Sequence, residues 1–165
     1  MARDRKPATP RPGEIASAGG QPPGDLKSRA RAATGFCLAR AARNLARRIT
    51  QVYDRHLAPY GLTLPQFAML TMIAAAKDET LGALASEAGL DPSTLTRNLQ
   101  GLEKLHLIEI ASLEEDQRRR TVFLTANGGR RVSAAIPAWS AAQREIIATL
   151  GPRFTADLAR ASLSL

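Results

Sequence analysis

The stretch "LGALASEAGLDPSTLTRNLQGLEKL", residues 81–105, limits the fold of this chain more than any other. Gly89 is a good C-terminal residue for a helix, because glycine adopts left-handed backbone angles without strain. Asp91 is a favourable N-cap, and Pro92 suits the first turn of the helix that follows. The stretch therefore predicts two short helices joined by a tight turn, which is a helix-turn-helix.

The segment after the second helix changes from helical to alternating periodicity. Two short β-branched runs, "LIEIAS" (107–112) and "RTVFLT" (120–125), flank the polar segment "LEEDQRR" (113–119). This pattern predicts a two-stranded hairpin with a charged tip. A helix-turn-helix followed by such a hairpin is a winged helix. We therefore expect a mainly α fold with a small β-hairpin wing.

Charge and cysteine content narrow the class of protein. The chain has 23 Lys and Arg against 15 Asp and Glu, a formal net charge of +8, which favours a polyanionic partner such as nucleic acid or an anionic membrane surface. No apolar stretch approaches the ~20 residues of a membrane span, and the N-terminus lacks the apolar core of a secretory signal. One cysteine in 165 residues fits a reducing compartment, so we expect a cytoplasmic protein.

The second helix of the predicted helix-turn-helix carries an unusual polar face. Its apolar stripe is Leu95, Leu99 and Leu102, at spacings of four and three. In a helix-turn-helix the opposite face enters the major groove of DNA, where arginine can pair with guanine and glutamine with adenine. Asn98 lies nearer the core edge and is expected to brace the domain. The side chains predicted to contact DNA are Ser93, Thr94, Thr96, Arg97, Gln100 and Lys104.

The charged tip of the hairpin is the second predicted DNA contact. Arg118, Arg119 and Arg120 lie where a wing can reach a minor groove or phosphates. Asp116 is expected to pair with one of these arginines and brace the wing. The two carboxylates at 114–115 should point away, because they would repel phosphate.

With these features the chain resembles the MarR (multiple antibiotic resistance regulator) family of winged-helix transcription factors. Four stretches carry the similarity, in the family's order: "LAPYGLTLPQFAML", "LGALASEAGLDPSTLTRNLQGLEKLHLIE", "DQRRRTVFLTANGGR" and "AWSAAQREI". The resemblance implies a homodimer in which each protomer offers one winged helix to half of a pseudo-palindromic operator in double-stranded DNA. His106 departs from the family's frequent Gly at the turn after the recognition helix.

Apolar stripes with heptad-like spacing fit the dimerisation helices that the resemblance implies. The residues expected at the dimer interface are Leu38, Leu45, Ile136, Trp139, Ile146, Leu150, Phe154 and Leu158. The expected organisation is a disordered basic Pro/Gly-rich arm (1–25), an N-terminal dimerisation helix (26–62), a winged helix-turn-helix DNA-binding domain (63–125) and C-terminal dimerisation helices (126–165). One long helix is expected to run to residue 57.

The resemblance also implies a small, often anionic or aromatic, effector that releases the protein from DNA, so we expect a repressor. Arg40, Arg43, Tyr53 and His56 are the residues predicted to contact this effector. Cys37 leaves open a thiol-based redox sensor, although a small apolar residue at the dimer interface is the simpler interpretation.

Other classes of function are less well supported by the residues. A winged helix can also serve as a protein- or RNA-interaction module without a gene-regulatory role. The two histidines and one cysteine lack the clustered spacing of the usual zinc sites. The sequence has no P-loop, nucleophile elbow or paired catalytic constellation. We therefore expect no metal, no cofactor and no enzyme activity.

Overall fold

A computed structural model describes residues 25–35, 37–113 and 116–162, without the side chains of residues 32, 112–113 and 116–119. The mainly α fold with a two-stranded hairpin is confirmed, and the predicted N-terminal arm (1–25) lies almost entirely outside the described residues. The elements in chain order are α1 (Leu26–Gly35), α2 (Leu38–Leu57), a 3-10 turn (Ala58–Tyr60), α3 (Leu64–Ala75), α4 (Leu81–Ala88), α5 (Pro92–Lys104), β1 (Ile108–Leu113), β2 (Asp116–Leu124), α6 (Ala126–Leu150) and α7 (Pro152–Ala161).

The prediction of one long helix through residue 57 was wrong. The helix ends at Gly35, and a new one begins at Leu38. Glycine weakens a helix interior by about 1 kcal/mol relative to alanine, and here its effect outweighs the apolar spacing around it. The chain forms two compact units, one up to Asn44 and one from Leu45 onwards, so the boundary falls within α2.

The hydrophobic core belongs to the unit that begins at Leu45. The predicted stripe of α5 is confirmed, because Leu95 and Leu99 are fully buried and Leu102 nearly so. The other fully buried large side chains are Leu57, Leu70, Leu84, Leu107, Ile108 and Val122. Within the described ranges no single helix is long and apolar enough to cross a membrane, and only the bent pair Leu38–Tyr60 and Leu64–Ala75 reaches that length and composition when taken together.

The hairpin has a third participant that the sequence pattern did not reveal. β1 and β2 are antiparallel, with Ile108 opposite Leu124 and Ser112 opposite Arg120. Thr80, the residue before α4, forms a bridge to Thr121. The amide of Val122 also donates to the carbonyl of Glu79, at 2.9 Å. These bonds attach the wing to the start of α4.

A compact junction joins α5, the hairpin and α6. His106 adopts the left-handed conformation expected for it, with φ 53°. The hydroxyl of Thr125 donates to the carbonyl of His106 at 2.9 Å and accepts from the amide of Gly128, which is also at 2.9 Å. Thr125 therefore caps α6, and it fixes the end of β2 to the turn after α5.

Two adjacent glycines in the first turns of α6 test this junction. A Cβ on Gly128 would lie 2.0 Å from the carbonyl oxygen of Leu107, whereas a Cβ on Gly129 would meet nothing within 4 Å. We expect Gly128→Ala to lower the free energy of unfolding by about 3 kcal/mol, because a backbone carbonyl must move. Gly129→Ala, the matched control, should raise it by ~0.5–1 kcal/mol through helix propensity. Urea denaturation of both variants measures the two changes in the free energy of unfolding. Equal changes would contradict the close approach of Gly128 to the carbonyl oxygen of Leu107.

Candidate nucleic-acid interface

The start of α5 is organised by one carboxylate. Oδ1 of Asp91 accepts from the amides of Ser93 and Thr94, at 3.1 and 3.0 Å. The hydroxyls of the same two residues also donate to Asp91, at 2.6 and 2.5 Å. These four hydrogen bonds, with the two hydroxyls first, hold the pKa of Asp91 well below its ordinary value. The predicted N-cap is confirmed.

This cap changes what Ser93 and Thr94 can offer a ligand. Because each hydroxyl donates its hydrogen to Asp91, only its lone pairs remain for an outside partner. In this arrangement both can accept from a base amino group, but neither donates to a phosphate oxygen. Their contact with DNA stays a prediction, and phosphate binding would require them to release Asp91.

Acid should weaken the folded state through Asp91. Since its pKa is lower in the folded chain than the ~3.9 of an unfolded aspartate, its stabilising effect is complete above that value and is lost as the pH falls through the folded-state pKa. Asp91→Asn keeps one acceptor oxygen and should be less stable than the native chain at neutral pH. The difference in urea midpoint should shrink below pH ~4. A difference that stays constant as the pH falls well below ~4 would show that ionisation of Asp91 does not stabilise the fold.

The outer face of α5 is flanked by two clefts. On the wing side, Thr96, Gln100 and Glu103 face Ile110 and Arg120 across the helix–wing cleft, the name we give to this set of five residues. The predicted contacts Thr96, Gln100 and Arg120 are thus brought together. Glu103 was missed by the sequence interpretation, although its helical position beside Thr96 and Gln100 could have indicated it.

The second cleft lies between α5 and α3. Arg97, Asn98 and Gly101 line it from α5, opposite Gln66 and Met69 of α3. Arg97 is exposed, as predicted. Asn98 is exposed as well, and it lies at the cleft instead of bracing the core, so that expectation was wrong. On the helical wheel Asn98 lies about 40° from Leu102, at the edge of the buried stripe, yet its side chain is exposed at the cleft.

The remaining predicted contacts are only partly described. Lys104 is exposed at the end of α5. Asp116 is the first residue of β2, and its backbone pairs with Leu113 of β1. β2 therefore begins earlier in the chain than the sequence predicted. The side chains of Asp116, Arg118 and Arg119 lie outside the described residues. Their bracing and wing contacts stay predictions.

One turn of α2 connects it to both α6 and α3. The hydroxyl of Tyr53 donates to Oε1 of Gln143, and burial raises the pKa of this tyrosine. Asp54 accepts from the amide of Leu64 at 2.6 Å, which caps the start of α3. His56 lies 2.8 Å and Arg55 2.5 Å from the carboxylate of Glu145. These contacts hold Glu145 at a lowered pKa, His56 having the larger effect. We call Tyr53, Asp54, Arg55 and His56 the α2 node.

The effector residues predicted from the sequence fall into two groups. Tyr53 and His56 both contact α6, as members of the α2 node. Arg40 and Arg43 are exposed in the unit that ends at Asn44. In that unit Arg40 shares a small cleft with Cys37, which is half-buried. Their contact with an effector stays a prediction. Within the described ranges no group of three His, Cys, Asp or Glu could hold a metal ion.

The predicted dimerisation residues differ in exposure. Trp139 stacks between two aromatic rings of its own chain, with centroid distances of 6.5 Å to Tyr53 and 6.3 Å to Phe67. Ile146 is buried, and with Leu45 and Leu150 it lines an apolar cleft between α2 and α6. The members whose side chains are largely open to solvent are Leu38 (74%), Ile136 (47%), Phe154 (46%) and Leu158 (37%).

These features define a winged-helix protein: a second helix buried on one side and polar on the other, beside an antiparallel hairpin. A model of the MarR family matches residues 60–119. The chain is 32% identical over 116 residues to the transcriptional regulator HosA of Escherichia coli O127:H6, which covers 67% of this chain and 86% of HosA. The chain therefore belongs to the MarR family, a family of transcriptional regulators and not of enzymes.

Solved structures agree with this assignment. The M. tuberculosis transcriptional regulator MosR, in complex with DNA, is 34% identical, with a TM-score of 0.68 over 78% of this chain and 96% of that one. A mutant of E. coli MarR complexed with operator DNA is 22% identical, with a TM-score of 0.71 over 86% of this chain and 98% of that one, and supports the fold alone.

Proposed function

We propose that this chain is a homodimeric, sequence-specific DNA-binding regulator that represses transcription and is released by a small ligand. The helix–wing cleft carries the proposal, because it sets Thr96 and Gln100 of α5 beside Arg120 of the wing. A helix in a major groove and a wing in the neighbouring minor groove need that arrangement. The DNA complex of MosR, which is 34% identical to this chain, supports it.

Selection from a pool of random duplexes is the direct test of this function. The full chain should enrich a pseudo-palindromic site, since two identical winged helices related by a two-fold axis read inverted half-sites. A pool that shows no enriched sequence, with binding to RNA or protein instead, would favour the interaction module. Repression and its relief are then measured with a reporter downstream of the enriched site.

The proposed contacts separate into two kinds. Arg97 and Gln100 lie on the outer face of α5, where bidentate pairing with guanine or adenine reads sequence. We assign Lys104 and the wing arginines 118–120 to phosphates or the minor groove, contacts that supply affinity with little sequence information. Ser93, Thr94 and Thr96 are short enough to let the helix approach closely.

Arg97 gives the sharpest test of sequence reading. We expect Arg97→Ala to cost about 1–3 kcal/mol on the enriched site and to relax selectivity at one base pair in each half-site. Arg144→Ala, an exposed position on α6, removes the same charge and should leave selectivity unchanged. Gel-shift titrations against single-base variants of the site measure both. If Arg97→Ala weakens every duplex equally, Arg97 contacts a phosphate and reads no base.

Exposed apolar side chains support the proposed homodimer. Leu38, Ile136, Phe154 and Leu158 follow the spacing of the predicted dimerisation helices, and leaving them in water is unfavourable. The apolar cleft between α2 and α6 adds Leu45, with Ile146 and Leu150. A second copy of the chain would cover these surfaces.

A charge placed on α7 tests the dimer. Leu158→Asp should shift the chain towards monomer, because an ionised carboxylate is strongly disfavoured inside an apolar interface. Leu105→Asp is the matched control, since Leu105 is similarly exposed (43% against 37%) but lies outside the dimerisation helices. Light scattering after gel filtration gives the mass of each variant. A dimer that survives Leu158→Asp would exclude α7 from the interface.

Release by a ligand requires a connection between the dimerisation helices and the DNA-reading lobe. The α2 node supplies one, because Tyr53 and His56 bind α6 while Asp54 caps α3. A ligand that prefers another position of α2 would thereby shift α3, which forms one wall of the cleft beside Arg97. We propose that an anionic or aromatic effector acts in this way, with Arg40 and Arg43 as its candidate cationic contacts.

A further inference from the structure

The helix–wing cleft contains one carboxylate that the contacts proposed so far do not use. Glu103 follows Thr96 and Gln100 on the same side of α5 and faces Arg120 across the cleft. It is exposed, and it takes part in none of the ion pairs of the described residues. A carboxylate in a surface meant for DNA costs affinity, so its presence needs a reason.

The path of the DNA backbone supplies that reason, and this step rests on the proposed function. When α5 lies in a major groove and the wing in the adjacent minor groove, one sugar–phosphate strand separates the two grooves. That strand must pass over the helix–wing cleft. Arg120 can donate to its phosphate oxygens, and so can the second side-chain N–H of Gln100, which bidentate pairing with adenine leaves unused. Thr96 cannot donate, because its hydroxyl already donates to the carbonyl of Pro92 at 2.7 Å.

The cleft is therefore electrostatically asymmetric along α5. Its middle holds donors, and its C-terminal end holds Glu103, three residues and about 4.5 Å of helix rise beyond Gln100. Repulsion between a carboxylate and a phosphate falls with the inverse of their distance, and salt screens it further. A strand seated at Gln100 and Arg120 avoids Glu103, whereas a strand displaced towards Lys104 meets it.

We propose that Glu103 is a specificity-determining residue: its carboxylate excludes the sugar–phosphate strand from the C-terminal end of the helix–wing cleft and so holds α5 in one register. On the operator, base contacts already select that register, and Glu103 costs little. On random duplex no base contact selects a register. There Glu103 disfavours every register that places a phosphate beside its carboxylate. The residue lowers non-specific affinity more than specific affinity.

Glu103→Gln and Glu109→Gln form a matched pair for the test. Both remove one negative charge at an exposed position. Glu109 lies on β1 next to Ile110, and because side chains alternate along a strand, it lies on the hairpin face away from the cleft. A general effect of net charge would alter both variants equally. Glu103→Asp keeps the charge and serves as the conservative variant.

The affinities of each variant are measured on the enriched operator and on a random duplex, across a range of salt concentrations. We expect Glu103→Gln to bind random duplex about tenfold more tightly and the operator less than threefold more tightly, with a steeper salt dependence on the random duplex. Glu109→Gln should preserve the ratio of the two affinities, and Glu103→Asp should stay close to the native ratio.

Each other outcome is decisive. Equal ratios for Glu103→Gln and Glu109→Gln would overturn the proposal and leave the proposed function intact. Weaker operator binding by Glu103→Gln, with selectivity lost at one base pair, would make Glu103 a base contact that accepts from cytosine. A native chain that shows no preference for any duplex would overturn the proposed function itself.

Discussion

Burial of the Leu95, Leu99 and Leu102 stripe is the interaction on which the rest of the structure depends. These side chains are nearly or fully inaccessible to solvent, and replacing one such leucine by alanine typically costs about 2–5 kcal/mol. The stripe fixes the rotation of α5 about its axis. Because each residue advances the helix by 100°, that rotation also decides which residues face the wing, α3 or solvent. The proposed DNA face is therefore a consequence of packing inside the core.

A second constraint concerns the carboxylates of this strongly cationic chain, which oppose its general affinity for polyanions. The formal net charge of +8 favours any polyanion, and charge alone cannot distinguish one duplex from another. Asp91 occupies the start of α5, where an unopposed helix terminus would attract phosphate, and it withdraws two hydroxyls from donation. Glu103 stands at the other end of the same face. In the proposed complex with DNA, both carboxylates would reduce general affinity and leave Arg97 and Gln100 to supply selectivity.

Much of the fold could be predicted because its signals are local. Gly89, Asp91 and Thr125 have the helix-terminus roles expected from their residue types, and His106 has the expected left-handed turn. These signals depend on neighbours within four residues of the chain. The break between α1 and α2 was also local, at Gly35, but the prediction gave more weight to the heptad-like apolar stripe that begins at Leu38.

The parts that could not be predicted depend on contacts between distant residues. The bridge from Thr80 to Thr121 and the pairing of Tyr53 with Gln143 have no periodic signature, since each joins elements whose packing is decided by the core. The same holds for Glu103, whose importance depends on Arg120 lying across the cleft. The helical wheel of α5 gives the side of the helix, but only the folded wing shows what that side faces.

The α2 node shows why one helical turn can link three elements. Consecutive side chains in a helix point about 100° apart, so Tyr53, Asp54 and His56 reach in different directions from nearly the same height. Asp54 reaches the start of α3, while the other two reach α6 at positions 143 and 145. These contacts cannot all be kept if α2 rotates, because a rotation that preserves one moves the others. A ligand need not break the DNA-reading lobe to act on it; it needs only a small preference for a different rotation of α2. The buried leucines of α5 would then carry that change as a rigid displacement of the whole reading face, since a packed core transmits movement more readily than it deforms.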